Sequence, residues 1–128
     1  MSGYSINIEA ESLANEDFRR VLFTAGHQQL VVMSLQVGEE IGMEIHDNGD
    51  QFFRVESGEG EAIIDAETHK LVDGSVVIIP EGAEHNVVNV SETEPLRMYT
   101  IYSPPQHPDG TVHHSKAEAD EYEKHHHG

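Results

Sequence analysis

The sequence predicts an all-β fold, an antiparallel sandwich or small barrel with a short C-terminal helix, and three observations predict it. The apolar runs are short and β-branched, clusters of turn residues separate them, and no run approaches the ~20 apolar residues of a membrane-spanning helix. Ten runs read as strands: 4–8, 18–24, 30–37, 40–46, 51–56, 60–65, 69–71, 75–79, 86–90 and 96–102. So many short strands at such close spacing indicate an antiparallel sandwich or small barrel.

The elements follow in order. Residues 1–29 read as N-terminal strands, 30–103 as the barrel core, and 104–128 as an extended strap, a short helix and a His-rich tail, all in one domain. Asn48-Gly49 is the pair preferred in tight hairpin turns. Ser57-Gly58-Glu59-Gly60, Asp73-Gly74 and Pro80-Glu81-Gly82 mark further turns. The run 75–79 is apolar at consecutive positions, so both of its faces are expected to be covered, by the other sheet or by a second subunit. Pro104, Pro105 and Pro108 remove ladder donors, so the chain there should run as a strap. Ser115 followed by Glu118 is a capping-box pattern opening a polar helix over 116–124. A helix that short must dock or fray. His125-His126-His127 reads as a solvated tail or a purification remnant, with metal sequestration as the alternative.

Seven Lys and Arg stand against 24 Asp and Glu, a formal net charge of −17. Such a surface repels polyanions, which excludes nucleic acid and anionic membrane as natural partners. No cysteine is present, so disulfides, thiolate metal sites and thiol nucleophiles are excluded. Any metal must take imidazole, carboxylate or amide ligands. The N-terminus has neither a basic n-region nor an apolar h-region, and a cytoplasmic protein is expected.

Two segments place chemistry-bearing side chains together. Glu44 and His46 lie at i and i+2 on an expected strand and so share a face, opposite Met43 and Ile45. Across the Asn48-Gly49 turn, Gln51, Phe53 and Val55 form one face of the returning strand, and Phe52, Arg54 and Glu56 the other. His85 follows the Pro80-Glu81-Gly82 turn on a strand where Val87 and Asn89 share its face. By spacing alone these residues read as ordinary strand positions more readily than as a metal site.

Together the two segments resemble the paired motifs of the cupin superfamily. Gly38, Glu44, His46, Gln51 and Gly58 are separated by five, one, four and six residues, the spacing of the first motif. Gly74, Pro80, Gly82, His85 and Asn89 match the second motif in spacing and in residue type. The resemblance implies a double-stranded β-helix, or jelly-roll, barrel. It also implies a metal site made of Glu44, His46, Gln51 and His85, in which Glu44 stands in a histidine position and Gln51 in the glutamate position. One divalent transition metal per chain (Mn, Fe, Ni, Co or Zn) suits two nitrogens and two oxygens. Phe53, Val55, Val87 and Tyr102 are expected to line the pocket. On the last strand, however, the alternation of Met98, Thr100 and Tyr102 with Arg97, Tyr99 and Ile101 leaves the register open. The resemblance favours a homodimer and a small-molecule substrate.

The function implied is metal-dependent isomerase or lyase chemistry on a small polyhydroxy or hydroxy-carbonyl compound, a sugar or sugar acid. The ion would act as a Lewis acid on an enediolate-like charge. The alternatives are an Fe(II)-dependent dioxygenase and a non-catalytic small-molecule-binding barrel. Similar sequences are grouped as mannose-6-phosphate isomerase-like, but a phosphate dianion needs bidentate Arg or a basic patch. Arg97 and the Arg19-Arg20 pair are the only barrel candidates. No residue is assigned as catalytic; Glu44, Tyr99 and Tyr102 are the available acid–base groups.

Overall fold

The computed structural model describes residues 2–126. Its strands are β1 (Arg19–Thr24), β2 (Gln29–Leu35), β3 (Asp50–Ser57), β4 (Gly60–Ile64), β5 (Glu67–Leu71), β6 (Val76–Ile79), β7 (His85–Asn89), β8 (Leu96–Ser103) and β9 (Val112–His113). Two helices, α1 (Ile8–Ala14) and α2 (Lys116–His126), flank them. All strand pairs are antiparallel, in a six-stranded sheet ordered β6-β3-β8-β2-β1-β9 and a three-stranded sheet ordered β5-β4-β7. This is the jelly-roll barrel that the motifs imply.

Side chains alternate across the pleat, so each strand sends one set inward. On β3 that set is Gln51, Phe53 and Val55; on β8 it is Met98, Thr100 and Tyr102. Pairing brings Gln51 opposite Tyr102 and Tyr102 opposite Gln29, a row of buried polar groups across the sheet. Met33, Leu35, Phe53, Val55, Val87, Leu96 and Met98 fill the interior. Gly49 lets the β3 hairpin approach the end of β8, because a Cβ there would lie 2.6 Å from Pro104 Cδ. Gly58 sits at φ +96° beside the Pro95 carbonyl, a conformation that other residues adopt only with strain.

Four expectations need correction. Residues 4–8 form no strand, and the chain then turns into α1. The Asn7 side chain accepts from Ala10 N (2.9 Å), and Glu9 and Glu11 occupy the first turn, so local capping overrides the alternation. Residues 40–46 form only two isolated bridges, Glu40 to Val88 and Glu44 to His85, which extend the three-stranded sheet beyond β7. Gly42, at φ +105°, breaks the strand between them and gives its N–H to Asn86 Oδ1 (2.8 Å). The other sheet does not cover the outer face of β6, where Val76 and Ile78 are exposed, so of the two expected covers only a second subunit remains. The strap ends in a strand absent from the sequence reading, β9, whose Val112 and His113 pair with β1.

The C-terminal helix docks. Glu118 N bonds Ser115 Oγ (3.1 Å), Ala119 is buried in the core, and the Tyr122 ring lies 5.1 Å from that of His113. His125 pairs with Glu121 one turn back (2.8 Å), and His127 lies outside the described residues.

Buried Gln29 fastens the strap. It donates to the His107 carbonyl (2.8 Å) and accepts from the N–H groups of Gln106 and His107. This sets the His107 ring against Tyr102, with Nε2 3.3 Å from the hydroxyl. Burial, and after it the Arg19 charge, pushes the His107 pKa down to about 3 from an ordinary value of 6.5. Between those values the unfolded chain binds a proton that the folded chain refuses. Stability is therefore complete above about pH 6.5 and declines as pH falls toward about 3. His107→Asn is expected to flatten that decline by about 2 kcal/mol between pH 7 and 4, after allowing for partial exposure, as read by urea unfolding. An unchanged slope would reject the assignment.

Candidate metal centre

The second motif is built around a turn. Ala83 N bonds the Pro80 carbonyl (3.1 Å), and Gly82 N bonds the His46 carbonyl (2.9 Å), tying the turn to the first motif. His85 then pairs with Glu44 through two backbone bonds, Glu44 N to His85 O (2.8 Å) and His85 N to Glu44 O (2.9 Å). Directly opposed residues in such a pair project on the same face. Glu44 and His85 are neighbours for this reason, although the segment carrying Glu44 is not a regular strand.

The ring of His85 is oriented by its own turn. Nδ1 lies 3.0 Å from the Ala83 carbonyl oxygen, and only a ring N–H can donate there. The neutral tautomer thus carries its lone pair on Nε2, which is buried and has no hydrogen-bond partner among the described residues. His46 Nε2 is buried and unpartnered as well. The two rings lie 5.2 Å apart, and ligand atoms of Glu44, His46 and His85 all fall within 4.8 Å of one another. The Glu44 carboxylate stands 3.9 Å from His46 Nε2.

Gln51 enters from the opposite sheet. Its Nε2 donates to Thr100 Oγ1 (3.0 Å), which leaves Oε1 buried without a partner. Burial lowers the His46 pKa; the Glu44 charge and the Gln51 side chain oppose that shift, and the His85 charge adds to it. His46 is consequently neutral near pH 7, the form that can ligate. Three buried lone pairs with no partner, beside a carboxylate, match what a borderline transition metal requires.

Of the four residues expected to line the pocket, Tyr102 borders this cluster while Phe53, Val55 and Val87 belong to the hydrophobic core, and none of the four walls the cavity that opens beside it. Tyr102 meets the His46 ring edge-on at 5.7 Å, and burial raises its pKa to about 12 despite the lowering effect of Arg19, so it is a neutral phenol. Phe53, Val55 and Val87 are buried in the core. Asn89 of the second motif braces the scaffold, donating to the Leu35 and Glu94 carbonyls (3.0 Å each). Tyr99 is on the outward face of β8, away from the interior set that includes Thr100 and Tyr102. A cavity of about 640 Å³ opens beside the cluster, walled by Glu44, His46, His107, Lys116, Asp120 and Tyr122.

Sequence reasoning missed two residues here, His107 from the strap and His113 from β9, and it named Arg19 only as a phosphate candidate, whereas the structure buries it on β1. Alternation of Arg19 with Val21 in the β1 run was the available signal for that burial.

A jelly-roll barrel with a His/Glu cluster between its sheets defines a cupin-type protein. The chain belongs to the cupin family: the family model described as "Cupin domain" matches residues 31–102. The uncharacterized protein YrkC of Bacillus subtilis (strain 168) is 43% identical over 122 residues, covering 91% of this chain. This chain spans 65% of YrkC, just under two thirds of its length. An uncharacterized protein of Acanthamoeba polyphaga mimivirus is 43% identical over 112 residues, covering 85% of this chain and 70% of that one. The crystal structure of BH2720 from Bacillus halodurans is 44% identical with a TM-score of 0.91, covering 94% of this chain and 95% of that one. No helix among the described residues is long and apolar enough to cross a membrane.

Proposed function

We propose that the chain is a metal-dependent cupin enzyme, an isomerase or lyase acting on a small polyhydroxy or hydroxy-carbonyl compound in the cytoplasm. The ion is a single divalent transition metal, Mn, Fe, Co, Ni or Zn, held by Glu44, His46, Gln51 and His85. The observation that carries this reading is the set of three buried, unpartnered ligand atoms, His46 Nε2, His85 Nε2 and Gln51 Oε1. When bound, the metal supplies Lewis acidity toward charge developing on substrate oxygen.

The chain's own residues do the rest. The Ala83 carbonyl fixes the tautomer of His85, and Thr100 takes the Gln51 amide, which leaves the Gln51 oxygen without a partner among the described residues. Tyr102, protonated at neutral pH, serves as a hydrogen-bond donor and is no base. Glu44 is partly exposed at the cavity wall, and among the described residues it alone brings a carboxylate to the cluster.

The test loads purified protein with each metal in turn and assays a panel of sugar acids and hydroxy-carbonyl compounds without oxygen. Isomerised or cleaved product, lost on chelation and restored by metal, is the expected result. Turnover only with Fe(II) and O₂ would replace this reading with a dioxygenase. Metal-dependent binding without turnover would replace it with a binding barrel.

A further inference from the structure

The outer face of the six-stranded sheet carries an unbroken apolar row. Pairing sets Ile78 of β6 opposite Phe52 of β3, Phe52 opposite Ile101 of β8, Ile101 opposite Leu30 of β2, and Leu30 opposite Phe23 of β1. Directly opposed residues share a face, so these five side chains lie side by side across five strands. At about 4.8 Å per strand the row is about 20 Å long. The inward face is filled, since Gln51, Phe53, Val77 and Ile79 of β3 and β6 are all buried. The outward row is open at its β6 end. Ile78 is 62% exposed, more than any other large apolar side chain among the described residues, and Val76 on the same strand face is 49% exposed. A strand apolar on both faces is the pattern of one covered on both sides, yet this chain covers only the inner side of β6.

The two ends of the row differ in shape. At the β6 end Ile78 stands out into solvent. At the β1 end the N-terminal arm meets the sheet, with the Tyr4 ring stacked on that of Phe23 at 4.8 Å. A groove of about 620 Å³ opens there, walled by Tyr4, Phe23, Gly26, Leu30 and Ile101. Projection and groove thus occupy opposite ends of one row. A two-fold rotation about an axis parallel to the strands lays one such row on another in reverse order. Each copy's Ile78 then falls on the other's groove, and the central Ile101 falls near the axis. An isologous dimer requires a self-complementary patch of this kind, in which residue i meets j and j meets i.

Charge points to the same occupant. The next outward row, Val76, Arg54, Tyr99, Val32 and Arg20, adds no carboxylate. Its two arginines are already paired within the chain, with Glu56 (2.8 Å) and Glu11 (3.0 Å). The chain has 24 acidic residues and a net charge of −17, so most approaches of two copies oppose like charges. Ten adjoining positions free of acid let two copies meet without that repulsion. A basic partner would find its complement elsewhere on this chain.

We propose that this face is the interface of a homodimer, in which Ile78 of each chain seats in the groove formed by the partner's Tyr4, Phe23, Leu30 and Ile101. The row lies on the opposite side of the sheet from Gln51 and Tyr102, so the interface is separate from the metal centre and from the cavity at Glu44 and His46.

Sedimentation velocity on the full chain, over a range of protein and salt concentrations, measures the association, and circular dichroism checks the fold of each variant. Wild type is expected at twice the chain mass. Its association should tighten as salt rises, because added ions screen the charge of each copy and leave apolar contact intact. Ile78→Lys should weaken dimerisation at least about a hundredfold, since the substitution enters an isologous interface twice. Gly26→Trp should act likewise by filling the groove from its own chain. A Cβ at Gly26 meets nothing within 4 Å, so the fold has room for it. Val90→Lys, at an exposed apolar position just beyond β7 in the other sheet, should leave the dimer intact. A wild type that stays monomeric at every concentration overturns the proposal and leaves the face to a different protein. A dimer that Ile78→Lys does not weaken overturns it too, because another surface then joins the copies. Loss of the dimer in Val90→Lys moves the contact elsewhere, and looser association in salt makes it ionic; either result overturns the proposal. Weakening by Ile78→Lys but not by a folded Gly26→Trp overturns the seating of Ile78 in the groove and keeps the row as the interface.

Discussion

His85→Ala is expected to abolish stoichiometric metal loading, with elemental analysis after supplementation falling below about 0.1 ion per chain. The imidazole supplies one of only two nitrogens, and its Nε2 is the atom whose tautomer the Ala83 carbonyl fixes. Removing even an outer hydrogen-bonding partner of a ligand commonly costs 10–100-fold in affinity, so loss of the ligand itself should cost at least about a hundredfold. The fold should survive. His85 pairs with Glu44 and Ile64 through backbone groups that alanine retains, and the side-chain bond that is lost, from Nδ1 to the Ala83 carbonyl, lies within its own turn. Unchanged circular dichroism with lost metal is the expected combination; full metal content in the variant would remove His85 from the site.

Phe53→Ala is expected to produce the largest loss of stability, about 3–5 kcal/mol, seen as a fall in Tm of roughly 10–20 °C. Phe53 is 2% exposed at the centre of β3, in the row that crosses Thr100 on β8 and Val77 on β6. Its removal leaves a cavity that backbone paired on both sides cannot collapse to fill. Ile78→Ala, two strand positions from Val76 on the outward face, supplies the contrast at 62% exposure and should stay within about 0.5 kcal/mol in the single chain. Equal losses from both would mean that the inward and outward faces of this sheet have been exchanged.

These two variants also mark how far the sequence could be read. Phe53 was legible as interior from period-two alternation beside a clear hairpin turn. His85 was legible as a candidate from its spacing to Pro80 and Gly82. Glu44 and His46 were named for a strand that the structure does not contain, because Gly42 interrupts it. They reach the cluster by another route, through the Glu44–His85 bridge and the bond from Gly82 to the His46 carbonyl. At the N-terminus, alternation over 4–8 competed with the Asn7 cap, and the cap prevailed beyond Ile8 because its hydrogen bond is local.

The sequence by itself determined the β class, the turns, the inward face of β3 and the motif positions, since all of these follow from spacing within a few residues. Only the tertiary structure decided the register of β8, which turns Tyr102 rather than Tyr99 inward. It also decided that Gln51 leaves its oxygen free by giving its amide to Thr100, 49 positions away. Arg19 meets His113 for the same reason, across a separation of 94 positions. Whether a polar side chain has a partner depends on strands paired across the whole chain, and no local pattern carries that information.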